Sequence, residues 1–256
     1  MGRLVCQLVE DAEGYELVAQ LNSRSPLSDM LGADVAVDLT VPGVSQDVVD
    51  FATTNGLRVL VGTSGWSEDR ITALAGRIDG NDETGVIIIP NFAIGSVLAS
   101  GFAAQAARFF DSIEIVEAHH AGKVDSPSGT AVRTAELIGR ARAALGPVAA
   151  PHTDQRARGQ QVASVPVHSI RMDGLLARQE VLLGGTGETL TISHNTLSAA
   201  SYERGILLAL AATRSVRGVT VGLDALLDLG LGRADETAPA VQTTGVPAPE
   251  DSEIPA

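Results

Sequence analysis

Apolar positions in the first third of the chain follow two alternating periods. Leu4, Val5, Leu8 and Val9 fall on one face of a helix. "YELVAQL" (15–21), "DVAVDLT" (34–40), "RVLVGTSG" (58–65) and "GVIIIPNF" (85–92) read instead as apolar strands, most of which close in small or proline-bearing turns. Between them, "SQDVVDFATTNG" (45–56) and "SEDRITALAGRI" (67–78) have helical spacing, the first ending in Gly and the second starting on a capping Ser67. Strands that are apolar throughout, alternating with helices, predict a parallel sheet covered on both faces. In such sheets ligands bind beyond the carboxyl ends of the strands, here the turns around 61–64 and 89–92.

From about residue 93 the pattern changes. A helix ("SVLASGFAAQAARFF") leads into the strand "SIEIVEAHH", and a second helix is expected from about Ser128 to Leu145. The stretches "VPVHSIRM", "QEVLLGG" and "ETLTISHNT" then read as strands, the last half-exposed and antiparallel. An apolar helix over 203–214 and "VTVGLDALLDL" return the chain to the first layer. The expected division is 1–92 with 203–231 as a dinucleotide-type unit, 93–202 as an inserted α+β substrate and oligomerisation unit, and 232–256 as a disordered acidic tail. That tail carries Asp235, Glu236, Glu250, Asp251 and Glu253, with Ala, Pro and Thr but few large apolar residues.

Composition narrows the function. The formal charge of −13 and the lack of a basic cluster argue against nucleic acid or an anionic membrane surface as partner. A single cysteine, Cys6, excludes an intrachain disulfide and suits a reducing, cytoplasmic setting.

The densest chemistry lies in "EAHHAGKVDSPSGTA" (117–131). Neighbouring strand side chains face opposite ways, so His119 and His120 suit a proton donor and a separate contact rather than one metal. HExxH and Cys-x-x-Cys spacings are absent, so no metal is expected. Lys123 adds a second proton donor and a positive charge. Ser126 or Ser128 is expected to cap the next helix, with Pro127 in its first turn, leaving amides near Gly129 and Thr130 free for an anion. Together these suit a small dicarboxylate substrate.

This stretch closely resembles the signature of the 4-hydroxy-tetrahydrodipicolinate reductase (dihydrodipicolinate reductase) family of lysine and diaminopimelate biosynthesis. "VDLTVP" (37–42), "VGTSGW" (61–66), "IPNFAIG" (89–95) and "GETLTISH" (187–194) match in the same order, and the resemblance spans roughly residues 1–230. It implies an NADH- or NADPH-dependent reduction of a cyclic imine dicarboxylate. His119 would be the acid/base group, Lys123 a second proton donor, and His120, Gly129 and Thr130 substrate contacts. Gly62, Thr63 and Ser64 with Ile89, Pro90, Asn91 and Phe92 would cradle the nicotinamide half of the cofactor, and Asn22 would lie at the adenosine ribose. A homotetramer built through the strands of 165–194 is implied as well. The fold class expected is thus α/β, a Rossmann-like parallel sheet domain with its first strand missing, carrying the inserted α+β domain. "MGRLVCQLV" matches only the closing residues of the family's glycine fingerprint, which leaves about a dozen residues unmatched and predicts a start further upstream. The alternative is a non-catalytic, dicarboxylate-binding relative that has lost the dinucleotide. A further reductase acting on a different imine or keto acid fits the same anion site.

Overall fold

The computed structural model describes residues 1–80 and 84–227. In chain order its elements are α1 (Gly2–Asp11), β1 (Val35–Asp38), α2 (Pro42–Thr54), β2 (Arg58–Val61), α3 (Glu68–Ile78), β3 (Gly85–Ile88), α4 (Ile94–Ala106) and β4 (Ser112–His119). There follow α5 (Gly129–Ala141), β5 (Gln160–Val162), β6 (Val165–Arg171), β7 (Ala177–Gly185), β8 (Glu188–Thr196), α6 (Glu203–Thr213), β9 (Gly218–Val221) and α7 (Asp224–Leu227).

The first sheet is parallel with strand order β1-β2-β3-β9. Alternation explains why its central strands are apolar throughout Val59–Val61 and Val86–Ile88. Val59 and Val61 of β2 pack with Val48, Val49, Ala52 and Leu74 on one face, and Leu60 packs with Val5, Val9 and Ile206 on the other. Helices α1 and α6 therefore cover one side, and α2 and α3 the other. Parallel pairing places the ends of β1, β2 and β3 at one edge.

The second sheet has order β5-β6-β4-β7-β8 and mixes parallel (β4·β6) with antiparallel pairs. Ile113, Ile115, Val165, Val167, Val181 and Leu183 form its inner apolar face under Ala103 of α4 and Ala131, Ala135 and Ile138 of α5.

Some elements differ from expectation. Residues 15–21 carry strand-like apolarity but form no ladder. A strand needs a partner, and although β1 is an edge strand paired only with β2, residues 15–21 do not pair with its second side. Helix α5 stops at Ala141 instead of Leu145, closing on Arg142, whose guanidinium turns inward to the carbonyls of Ala107 (2.6 Å) and Phe110. Pro127 lies before the Ser128 cap, outside the first turn of α5. The predicted tail, 232–256, lies outside the described residues.

Candidate active site

The five-stranded sheet carries its chemistry in rows. Moving along its inner face, the register Val167–Ile115–Val181–Ile192 is apolar. The next row, Ser169–Glu117–Gln179–His194, is polar, and the one after it brings Arg171 opposite His119. The change occurs where β4 ends and α5 begins.

Glu117 is fully buried, at 0 % exposure. Its Oε2 faces His119 Nδ1 at 2.6 Å and accepts from the Arg171 guanidinium at 2.9 Å. Its Oε1 accepts from the second Arg171 nitrogen at 2.8 Å and from the Ser128 N–H at 3.2 Å. Burial alone would raise the Glu117 pKa, but hydrogen bonds from Arg171, Ser169 and His119 outweigh it and hold the carboxyl below its usual range. Arg171 also donates to the Asp125 carbonyl at 2.7 Å, bracing the loop after β4.

Desolvation in this half-buried position pushes the His119 pKa below the ordinary histidine value. The charges of Lys123 and Arg171 act in the same direction, while Glu117 opposes them. Lys123 lies close enough to act electrostatically on His119, but its Nζ is held by Asp125 at 2.6 and 2.8 Å. Burial would raise the Asp125 pKa, and the lysine overrides that and lowers it. His120 is exposed, with its ring beside Gly122.

Ser128 caps α5 by accepting the Ala131 N–H at 3.2 Å, and its own N–H goes to Glu117. Among the described residues this leaves the amides of Gly129 and Thr130 without a partner, at the positive end of a 13-residue helix. A carbon added at Gly129 would meet nothing within 4 Å, so the approach is open.

The sheet-edge turns lie on the other side. Gly62 N–H donates to the Asp38 carbonyl (2.8 Å), and Ile89 N–H to that of Val61 (2.8 Å), so the three strand ends form one edge. Thr63 and Phe92 are buried and Ile89 fully so, which leaves Gly62, Ser64, Pro90 and Asn91 with accessible surface. Small, backbone-rich turns of this kind fit a dinucleotide. Asn91 is more committed than the sequence suggested. Its amide donates to Ser96 (3.0 Å) and Thr130 (3.2 Å), and its carbonyl oxygen accepts the Ala93 N–H (2.9 Å). Asn22 sits in an exposed turn, its N–H donating to the Ser25 hydroxyl and its side-chain oxygen accepting the Arg24 N–H.

Sequence reasoning missed Glu117, Arg171 and the linking role of Asn91. Glu117 had a visible signal, a charged residue two positions before His119 and so on the same strand face. Arg171, 54 residues from Glu117, had none.

A parallel α/β sheet with an open carboxyl edge, joined to an α+β unit that presents a histidine beside an anion-ready helix start, defines a dinucleotide-linked enzyme class acting on small acids. The comparisons narrow this further. Residues 1–92 match the family described as "Dihydrodipicolinate reductase, N-terminus", and 95–227 match "Dihydrodipicolinate reductase, C-terminus". The chain belongs to the dihydrodipicolinate reductase family. It is 64 % identical over 247 residues to the 4-hydroxy-tetrahydrodipicolinate reductase of Clavibacter sepedonicus, covering 96 % of this chain and 89 % of that one. It is 47 % identical over 237 residues to that of Streptomyces griseus, covering 90 % and 94 %. A dihydrodipicolinate reductase from Paenisporosarcina sp. TG-14, solved with dipicolinate bound, superimposes with a TM-score of 0.73 at 29 % identity, covering 88 % of this chain and 95 % of that one. Matches across both halves favour the reductase over a non-catalytic relative.

Proposed function

We propose that this chain reduces 4-hydroxy-tetrahydrodipicolinate to tetrahydrodipicolinate, with loss of water, using NADH or NADPH. The dinucleotide, when bound at the edge formed by Gly62–Ser64 and Ile89–Phe92, supplies a hydride. His119 delivers a proton from Nε2 to the ring carbon beside the one that is reduced. The Gly129 and Thr130 amides hold one substrate carboxylate, His120 contacts the ring substituents, and Lys123 adds positive charge and a second proton donor. The reading rests on the two partnerless amides starting α5 while Glu117 ties their cap to His119.

Two finer statements go with it. Ile170 and Leu182 face away from α4 and α5 and are 44 % and 39 % exposed, which supports a homotetramer joined through that outer sheet face. Cys6 standing alone supports a cytoplasmic setting. Among the described residues no helix is long and apolar enough to cross a membrane.

The test is oxidation of NADH or NADPH by the purified chain, with and without the product of dihydrodipicolinate synthase. Turnover that depends on this product is expected. Oxidation without it, or none with it, defeats the reading. Light scattering of wild type and Leu182→Asp tests the assembly, with loss of tetramer expected in the variant.

A further inference from the structure

We propose that Glu117 is a positioning residue that fixes His119 as its Nδ1–H tautomer and so aims Nε2 at the substrate. The inference rests on the reductase reading and on the role given there to His119.

The argument begins with what a buried carboxylate does. An ionised carboxylate only accepts hydrogen bonds, so the imidazole nitrogen 2.6 Å from Glu117 Oε2 must be the one carrying hydrogen. In the neutral ring the lone pair then sits on Nε2, the end directed away from Glu117. Both oxygens of Glu117 are shared between structural and functional donors. Oε1 serves Arg171 and the Ser128 cap of α5, and Oε2 serves Arg171 and His119. One side chain therefore sets the imidazole in register with the amides of Gly129 and Thr130.

A buried Arg–Glu pair is weak evidence of a stabilising role, because desolvation offsets most of the attraction. Its value here is electrical. The charged groups acting on His119 are Glu117 on its own strand, Arg171 from β6, and Lys123 from the following loop, itself paired with Asp125. The neighbour on β7 is Ala177. Arg171 balances Glu117, and Asp125 balances Lys123, so the ring sits among paired charges and stays neutral until an anionic ligand arrives.

The deciding measurement is the ¹⁵N–¹H long-range correlation spectrum of the full-length, ligand-free chain labelled at histidine, recorded at about pH 8, above the ordinary histidine pKa. His119 is assigned by the signal lost in His119→Gln. A protonated Nδ1 and a pyridine-like Nε2 are expected, and the Nε2–H tautomer in wild type overturns the proposal. In Glu117→Gln the tautomers should mix. Turnover should fall roughly ten- to a hundredfold, the scale seen when an orienting partner is lost, with the KM for the dinucleotide unchanged. The high-pH limb of kcat/KM should move to lower pH, because Arg171 is left uncompensated, and Glu117→Asp should restore part of both. A Glu117→Gln chain with the wild-type tautomer and full turnover overturns the proposal. If that variant does not fold, the wild-type spectrum still decides. A wild type with the expected tautomer but no reductase activity removes the substrate reading and leaves the tautomer assignment standing.

Discussion

The Asn91 side-chain amide donates to the Thr130 hydroxyl at 3.2 Å, joining the turn after β3 to the first turn of α5. The same side chain holds Ser96 and the Ala93 N–H, so the turn after β3, α4 and the start of α5 share one amide. Asn91→Ala removes these bonds and leaves the buried Ser96 and Ala93 N–H and the half-buried Thr130 without this partner. A loss of about 1–3 kcal/mol of stability is expected, readable by urea unfolding. Because the link spans both sides, KM should rise for the dinucleotide and the dicarboxylate together. A rise for only one of them means the two sides are not coupled through this residue.

The lowered His119 pKa gives a signed pH prediction. The folded chain binds its proton more weakly than the unfolded chain, so His119's contribution to stability is present above about pH 6.5 and is lost as pH falls through the folded pKa. A dicarboxylate placed beside the ring acts in reverse and raises that pKa. Binding of dipicolinate should therefore take up a proton near neutral pH, and affinity should fall as pH rises. Calorimetry in two buffers of different ionisation enthalpy measures this directly. Proton release, or an unchanged uptake in His119→Gln, would remove His119 from the anion site.

Much of this site is legible along a single stretch of chain. Period-two alternation puts Glu117 and His119 on one face of β4, and the Ser-Pro-Ser-Gly-Thr run marks a helix start. What the stretch cannot carry is its partner across the sheet. Arg171 reaches His119 only through the parallel register of β4 with β6, which no local pattern encodes. Residues 15–21 show the converse failure. Their local pattern favours a strand, yet a strand also needs a partner, and although β1 and β9 each end the described sheet with one side open, neither pairs with them. Asn91 read as a ligand contact because turns beyond strand ends usually are. Its side chain also makes three hydrogen bonds that tie the turn after β3 to α4 and α5.

His119→Gln and Lys123→Ala should separate proton delivery from charge. Loss of an acid/base group costs on the order of a hundredfold in kcat, and His119→Gln should show this while dicarboxylate affinity keeps its high-pH value and loses its gain at lower pH. Lys123→Ala also leaves Asp125 unpaired beside the anion site, so both kcat and dicarboxylate affinity should fall. Steady-state kinetics against both substrates gives the split. Undiminished turnover in both variants would remove the roles assigned to them.

Gly62 and Gly129 should respond in opposite ways to the same added methyl group. A carbon on Gly62 would lie 2.6 Å from the Leu39 side chain and 2.7 Å from the buried ring of Phe92. Overpacking of that kind costs about 1–3 kcal/mol, so Gly62→Ala should lower the melting temperature. At Gly129 the added carbon meets nothing within 4 Å, and alanine restricts the unfolded chain more than glycine does. Gly129→Ala should therefore leave stability unchanged or raise it by up to about 1 kcal/mol. The same methyl group would stand at the helix start next to the Gly129 and Thr130 amides, so dicarboxylate KM should rise in a protein no less stable. Calorimetric melting with kinetics on both variants checks the contrast. A stable Gly129→Ala chain with wild-type dicarboxylate KM would show that the substrate's carboxylate is held somewhere other than the start of α5.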